Sequence, residues 1–391
     1  MAVYLTVFLA MLNQIGMKGG KMLVALYAID LQASPFTIGL LISTYAIFPL
    51  MLAVYAGRVS DIFGVRRPMV YGSIGLAASL LIPTLFRSIP SLFVSAALIG
   101  IANIFFHVAT HNLVGSIGGP EKRTANFSTF SLGAAISGMA GPVLVGFTVD
   151  HWGYIPTYYT LSAISVLPGL FMLFYAGFIP ARIVHKEEKR SGGVMDLMRI
   201  KLLRNTLMTS GVILTGIDLF NFYMPIHGRS IGLSASVIGM IIGMQAAAAF
   251  VVRLWMPWMS RKYGEMRILS CSLLIAGLTF FLFPFFNNPH VLMAISFLLG
   301  LALGCGQPLS IILTYNHSPA GRAGEALGLR LTVNKFTQIL VPVVFGSLGT
   351  AFGVFPIFMG NAVMLLAGGF NNFRHEKDQP PAPPAPPAST A

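Results

Sequence analysis

The residues of this sequence that could carry chemistry lie inside long apolar segments. Lys18 and Lys21 stand in the stretch NQIGMKGGK, between VYLTVFLAML and MLVALYAI. Asp218 is the one acidic residue that we place inside such a segment, and His107 and His111 lie four residues apart in another. A charge inside a bilayer costs at least ~2.5–3.5 kcal/mol on insertion scales. These groups should therefore face protein or water, where they could bind a charged solute or carry a proton.

The composition places these residues in a membrane protein. Of the 391 residues, 55% are hydrophobic and 9% are charged, and the mean hydropathy is +0.77. The apolar runs are about 20 residues long and lack strand-like alternation, as transmembrane helices do. The first run is too long for a signal peptide and has no A-x-A-like cleavage site, so we expect it to span the membrane.

We predict an all-α membrane protein of twelve transmembrane helices, divided six and six by the polar connection 180–205. The predicted spans are 4–28, 36–57, 68–87, 90–115, 126–149, 154–179, 206–226, 234–257, 267–286, 290–315, 329–350 and 354–371. The predicted organisation is a six-helix bundle over 1–181, a linker loop over 182–205, a second six-helix bundle over 206–373 and a disordered Pro-rich tail over 374–391.

Lys and Arg are distributed unevenly between the loops. Most of them lie in the even-numbered loops, among them Arg322 and Arg330, and at the C-terminus, whereas the odd-numbered loops hold Arg87 and Arg229. The positive-inside rule therefore predicts cytoplasmic termini, in what we expect to be a bacterial inner membrane. The net charge of +13 is mostly this topology signal and does not indicate a nucleic-acid partner. Because no Lys or Arg precedes the first span, the natural start could lie upstream of Met1.

The two halves of the sequence are related by an offset of 200 residues. SPFTIG at 34–39 aligns with SASVIG at 234–239, and PVLVGFTVDHWG at 142–153 aligns with PVVFGSLGTAFG at 342–353. The register holds without a gap, which indicates a duplicated six-helix unit of the kind found in some secondary transporters.

The same offset relates the charged residues. Lys18 corresponds to Asp218, and Lys21 corresponds to Asn221. We therefore expect Lys18 and Asp218 to lie at equal depth and to face each other across a cavity. Three roles remain open: a structural or gating ion pair, a proton-coupling site at Asp218, and lysines that bind an anionic substrate while Asp218 tunes them.

A motif occupies the loop between the second and third spans. GRVSDIFGVRR contains Gly57, Asp61, Gly64, Arg66 and Arg67. The glycines permit a tight turn, and the carboxylate could pair with an arginine or with a helix N-terminus in one conformation only. An ordinary solvated loop is the alternative.

This loop, the twelve spans and the repeat resemble the major facilitator superfamily, whose signature in this loop is Gly-x-x-x-Asp-Arg-x-Gly-Arg-Arg/Lys. The chain has Ile62 and Val65 where the family commonly has arginines, so its gate could have fewer charges or could use Arg67 instead. The resemblance implies two six-helix bundles around a central cavity. Spans 1, 4, 7 and 10 would line it, spans 2, 5, 8 and 11 would flank it, and the others would face outward.

The fifth span carries a small-residue element, GAAISGMAGPVLVGF. Its small residues include Gly138, Gly141, Pro142 and Gly146. Gly141, Pro142 and Gly146 resemble the Gly-Pro-x-x-Gly-Gly element of drug/proton antiporters, although Val145 replaces the first of the paired glycines. Small residues also serve close helix packing in any membrane bundle.

The candidate substrate-binding residues are polar groups inside spans that the resemblance places at the cavity: Asn13, Gln14, Lys18, Lys21, His107, His111, Asn221, Gln307, Asn334 and Lys335. Asp218 and His107 are the candidate proton-coupling groups. The histidines could instead form helix–helix hydrogen bonds, and Lys335 could snorkel to the interface. Arg253 could either snorkel or lie at the mouth of the cavity. Two histidines alone make an incomplete metal site, so we expect no metal and no cofactor.

The tally of intramembrane charges is positive, which favours an anionic solute. We expect a proton-coupled secondary transporter of a small organic anion or amphipathic compound, monomeric, with the substrate, protons and lipid as partners. A multidrug/proton antiporter and a non-transporting receptor or scaffold are the alternatives. No H-E-x-x-H, G-x-S-x-G or P-loop pattern indicates an enzyme.

Overall fold

The computed structural model describes residues 2–118, 122–175, 194–319 and 322–375. Its helices are α1 (Ala2–Asp30), α2 (Pro35–Phe63), α3 (Arg66–Leu85), α4 (Ile89–Ser116), α5 (Arg123–Trp152), α6 (Tyr154–Phe174), α7 (Val194–Leu197), α8 (Lys201–Ser230), α9 (Ala235–Tyr263), α10 (Glu265–Leu282), α11 (Pro289–Leu303), α12 (Gly306–Asn316), α13 (Ala323–Phe352) and α14 (Phe355–His375). A 3-10 turn, Phe283–Phe285, extends α10.

The all-α membrane fold is confirmed. Ten described helical segments are long and apolar enough to cross a membrane, counting α11 and α12 as one. The first and last helices fall outside that set because polar side chains lower their hydropathy, but they match their neighbours in length and pack with them. The predicted linker over 182–205 is partly helical, since α7 and the start of α8 lie within it. Residues 182–193 of that linker and nearly all of the predicted tail lie outside the described residues.

The repeat is visible in how equivalent helices begin. Ser34 caps α2 by accepting a hydrogen bond from Thr37 N at 3.2 Å, and Ser234 caps α9 by accepting one from Val237 N at 3.4 Å. A side-chain oxygen at this position satisfies an N–H group that has no partner inside the helix. The same serine therefore starts the second helix of each half.

The two halves meet along two seams, α5 against α9 and α2 against α13. Gly39 lies against the backbone of Pro342, and its repeat equivalent Gly239 lies against the backbone of Pro142. A side chain at either glycine would collide with a carbonyl group, so these helices approach as closely as their backbones allow.

The seams are tightest on one side of the molecule. We call it the Arg/Lys-poor side: it carries the turns that join α1 to α2, α5 to α6, α8 to α9 and α13 to α14, and the opposite side is the Arg/Lys-rich side. One large buried cluster contains residues of both halves. Two smaller clusters lie towards the Arg/Lys-rich side, and each belongs to one half only. In the described chain, α4 makes no extended contact with α11 or α12. The halves thus pack most closely on the poor side, whereas on the rich side α4 of the first half makes no extended contact with α11 or α12 of the second.

Candidate functional site

Lys18 points towards α5 of its own half. Its Nζ donates a hydrogen bond to Ala134 O at 2.6 Å and lies beside Gly138, whose missing side chain leaves room for it. The prediction that Lys18 faces Asp218 is therefore wrong. A main-chain carbonyl, and not a carboxylate, holds this lysine in the described structure.

Asp218 is surrounded by three polar residues from two other helices. The Gln338 side chain of α13 lies beside its carboxyl group, and Lys335 Nζ donates to Gln338 Oε1 at 2.8 Å. Lys21 of α1 and Lys335 are the cations close enough to act on the carboxyl group. Asp218 Oδ2 is buried and has no hydrogen-bond partner among the described residues. The cation that reaches this acid from the other half is Lys21.

The pseudo-twofold explains both placements. Positions 18 and 138 in the first half correspond to positions 218 and 338 in the second. Lys18 lies against α5 at Gly138, and Asp218 lies against α13 at Gln338. A twofold axis that maps one helix onto another also maps the direction of its side chains. Equivalent side chains that point to a helix of their own half therefore diverge from the axis and do not meet on it.

Lys21 lies between aromatic rings of the two halves. Its Nζ is 5.5 Å from the centre of the Tyr45 ring of α2 and 5.8 Å from the centre of the Phe222 ring of α8. Both distances suit a cation over an aromatic ring. Asn221, one turn from Asp218, donates from Nδ2 to Ile217 O of its own helix at 2.7 Å.

The two histidines of α4 stack against each other and against α5. The ring centres of His107 and His111 are 4.2 Å apart, and His111 lies 4.9 Å from Phe130 in an edge-on arrangement. Lys18 and Lys335 are close enough to act on His107. Gln14 shares a small pocket between α1 and α5 with Phe130. These groups form the first half's wall of the site.

The structure removes Asn13 from the candidate set. Its side chain is fully buried, and one turn away Gly16 lies against Ser165 of α6 and Leu76 of α3. Residues three apart share a helix face, so Asn13 faces the interior of the first half and not the space between the halves.

Lys18, Lys21, His107, Asp218 and Lys335 thus converge between the halves, near the middle of the membrane-spanning helices. No group of three or more metal-ligating side chains occurs within the described ranges. The arrangement is suited to binding and releasing a charged solute from a site that one side of the molecule closes.

The sequence model described as the Major Facilitator Superfamily matches residues 6–209 and 206–391. The chain belongs to the major facilitator superfamily. It is 24% identical over 337 residues to the multidrug resistance protein MdtG of Klebsiella pneumoniae (strain 342), covering 84% of this chain and 81% of that protein. MdtG of Dickeya zeae (strain Ech586) is also 24% identical, over 341 residues, with 85% and 82% covered.

Solved transporter structures share the fold. A crystal structure of the peptide transporter POT in complex with sulfate aligns with a TM-score of 0.80 at 15% identity, covering 96% of this chain and 94% of that one. A mutant of the nucleoside transporter NupG aligns with a TM-score of 0.79 at 15% identity, covering 95% and 99%. At this identity the likeness concerns the fold alone. The family model and the MdtG relatives identify the chain as a transporter of this superfamily.

This transporter contains a polar network that the sequence analysis missed. Arg330 counted there as a loop charge, but it lies inside α13 and its side chain is only 4% exposed. Its guanidinium donates to Ser310 Oγ at 2.9 Å and to Gln307 Oε1 at 2.5 Å. Ser310 Oγ donates to Ser210 Oγ at 3.3 Å, and Ser210 Oγ donates to Asn334 Oδ1 at 2.9 Å. The four-residue spacing of Arg330 and Asn334 was the available signal, because it puts both on one helix face.

The loop motif contributes contacts within the first half. Arg66 donates from Nε to Met172 O at 2.9 Å and from Nη2 to Leu173 O at 2.7 Å, which caps the end of α6. Gly64 has φ of 76°, the left-handed conformation that glycine favours. The side chain of Asp61 lies outside the described part of the chain. The proposed gating role of this loop stays a prediction.

The small-residue element of the fifth span lies at two helix contacts. Gly141 lies against the backbone of Gly19 in α1, while Gly146 lies against Ala235 at the start of α9. The described contacts of this element are thus close helix packing within and between the halves.

Proposed function

We propose that this transporter moves a small organic anion, or an amphipathic compound that carries an anionic group, together with protons. The observation that carries the proposal is the charge of the site. Lys18, Lys21 and Lys335 converge there with one carboxyl group, that of Asp218, within the described residues. A buried site with an excess of positive charge attracts anions.

The position of Asp218 supports coupling to protons. While the carboxyl group is ionised, its charge offsets those of Lys21 and Lys335. When it takes up a proton, the two cations become available to a substrate carboxylate or sulfonate. Proton and anion would then bind together and cross together, because each raises the affinity for the other.

Aromatic walls favour a substrate with an apolar part. Tyr45 and Phe222 flank Lys21, and Phe130 borders the histidine pair. An aromatic or hydrophobic anion could place its charge on the lysine and its apolar body against these rings.

Orientation follows the distribution of Lys and Arg. We place both termini and the Arg/Lys-rich side in the cytoplasm of a bacterial cell. The lack of extended contact between α4 and α11 or α12 on that side then corresponds to a state open to the cytoplasm. We retain the division into six-helix bundles over 1–181 and 206–373, and a monomer as the transporting unit.

Multidrug export is the second candidate, because the curated relatives are named multidrug resistance proteins. In a multidrug exporter of this kind, a hydrophobic cation would compete with a proton for Asp218. The two substances would then move in opposite directions.

Flux measurements in proteoliposomes distinguish proton-coupled anion transport from multidrug export. Anilinonaphthalene sulfonate, an aromatic anion, and ethidium, an aromatic cation, serve as probes with and without an imposed pH gradient. We expect the anion to move together with protons. Lys21→Gln and Lys335→Gln should each reduce its flux. Lys262→Gln is the matched control, since Lys262 stacks on Trp258 and is exposed. Ethidium flux opposite to protons, unaffected by the two lysine variants, would establish multidrug export instead.

A further inference from the structure

The fourth membrane segment of the second half is interrupted. Helix α11 ends at Leu303 and α12 begins at Gly306, whereas the equivalent helix of the first half, α4, runs without a break. The local sequence is GCGQP, from Gly304 to Pro308. Glycine and proline in this order weaken a helix, so the break has a local cause.

The break leaves a carbonyl group without its helical partner. In a continuous helix Gly304 O would accept from the N–H four residues later, but that residue is Pro308, which has no N–H. Arg253 of α9 supplies the missing donor: its Nε donates to Gly304 O at 3.0 Å. The approach is possible because Gly304 has no side chain, and a Cβ there would lie 2.6 Å from Val252 Cγ1.

The same guanidinium reaches the other half of the transporter. Arg253 Nη1 donates to Ser131 O at 3.1 Å and lies 3.3 Å from Ser131 Oγ, both on α5. One side chain thus joins the break in α11–α12 to a helix of the first half. The position equivalent to Arg253 in the repeat is Ala53, which can form neither contact.

The residue that follows the break is held by a second arginine. Arg330 donates to Gln307 O at 3.3 Å and to Gln307 Oε1 at 2.5 Å. Because a guanidinium is only a donor, it selects the amide oxygen and turns the amide N–H groups of Gln307 towards α8. Gln307 Nε2 donates there to Ser210 O at 3.5 Å.

We propose that Arg253 is a positioning residue for transport. It replaces the N–H that Pro308 lacks, and it ties the break to α5 of the other half. Movement of one half against the other is thereby transmitted to the break and to Gln307 behind it. This inference requires only that the chain is a transporter, and it does not depend on the identity of the substrate.

Cys305 reports on the break directly. It lies in the break, is 1% exposed, and its thiol donates to Val252 O at 3.7 Å. The exposed Cys271 is replaced by serine, and the rate of labelling by N-ethylmaleimide is measured in purified protein. We expect slow labelling in this background and an increase of about tenfold in Arg253→Gln, because the carbonyl group loses a charge-assisted donor.

A second substitution tests the cause. Pro308→Ala restores the N–H that Gly304 O lacks, so adding it to Arg253→Gln should return the labelling rate close to that of the background. Pro168→Ala, which restores an N–H inside α6 of the first half, is the matched control. Adding it to Arg253→Gln should leave the labelling rate high. Unchanged labelling in Arg253→Gln, no reversal by Pro308→Ala, or equal reversal by Pro168→Ala would each overturn the proposal.

A separate measurement tests the contact between Arg253 and α5 of the other half. Spin labels at the exposed positions Ser128 and Ile311, in a cysteine-free background, report the distance from α5 to α12. We expect Arg253→Gln to broaden this distribution and Pro308→Ala not to narrow it again, since the bonds to Ser131 remain absent. A distribution unchanged by Arg253→Gln would refute the tie. If Arg253→Gln yields no folded protein, recovery of folded transporter by Pro308→Ala supports the proposal, and failure to recover it overturns the proposal.

Discussion

The two halves of this transporter have the same helical plan but use equivalent positions for different purposes. In the first half, Lys18 is held by a carbonyl group of α5, and His107 and His111 lie edge-on to the Phe130 ring. In the second half, Asp218 lies beside Gln338, and a buried arginine organises a polar network. The duplication thus preserved the helix starts and the closely packed seams, while the side chains between the halves diverged.

This comparison shows which positions could change after the duplication and which could not. Gly39 and Gly239 both lie against a backbone carbonyl, where any larger residue would collide. Positions at the site differ between the halves: Lys18 corresponds to Asp218, and Lys21 corresponds to Asn221. The shared fold therefore accommodates different charges at these positions.

The largest expected effect comes from the acid of the second half. Asp218→Asn should reduce accumulation driven by a pH gradient by about 100-fold, because the group that would link the proton to Lys21 and Lys335 is gone. Exchange of labelled anilinonaphthalene sulfonate at equal pH should persist. The equivalent substitution in the first half, Lys18→Gln, should leave the pH dependence in place. Equal loss of pH dependence in both variants would show that the halves share the coupling role.

The buried network gives the next contrast. Arg330→Met removes the donors to Gln307 and should lower transport of the same probe by about 30-fold. It also removes a desolvated charge, so the midpoint of thermal unfolding should change little. Arg267→Met, the same substitution at an exposed position of α10, is the control and should alter transport by less than about threefold. A large drop in stability in Arg330→Met would indicate a purely structural network.

The two seams differ in the hydrogen bonds at their Arg/Lys-poor ends. Asp150 accepts hydrogen bonds from Ala235 N at 3.0 Å and Ser236 N at 2.7 Å, at the start of α9. Its repeat equivalent Thr350 accepts one from Phe36 N at 3.0 Å, at the start of α2. A carboxylate at a helix N-terminus is the stronger partner.

Asp150→Ala should therefore raise the population open on the Arg/Lys-poor side by about tenfold, and Thr350→Ala by about threefold. Distances between spin labels on the Arg/Lys-poor ends of each seam measure both. Asp150→Asn should fall between them, since it keeps an acceptor and loses the charge. Effects of equal size would contradict the ranking.

The smallest effect concerns the turns before the second helix of each half. Gln32 has φ of 60° and its equivalent Gly232 has φ of 80°. Only glycine adopts this region at little cost, so Gln32→Gly should stabilise the protein by about 0.5–1 kcal/mol. Gly232→Gln should destabilise it by a similar amount. Reversible unfolding in detergent gives both values, and a shared sign would show that the turns are not equivalent.

Much of the fold follows from local patterns. The apolar runs located the spans, and the 200-residue offset aligned Ser34 with Ser234, which the structure shows to cap equivalent helices. Helix bounds were less accurate where polar residues continue a helix beyond the membrane, as at the start of α8 and α13. The break after Leu303 was not predicted, although Gly304 and Pro308 are sequence signals that indicate it.

The candidate site was predicted as a set of residues but not as a set of contacts. Lys21, His107, Asp218 and Lys335 lie close together, but Asn13 turns to the interior of its own half and Arg330 enters a network. Helix periodicity assigns residues to a face, and it does not say which neighbour that face meets.

The sequence by itself determined the membrane environment and the duplicated plan, because hydropathy and register are properties of the chain read in order. Only the tertiary structure decided that Lys18 and Asp218 diverge, and that Lys21 is the cation that reaches the acid from the other half. The physical reason is that the rotation of each helix about its own axis is set by packing against its neighbours.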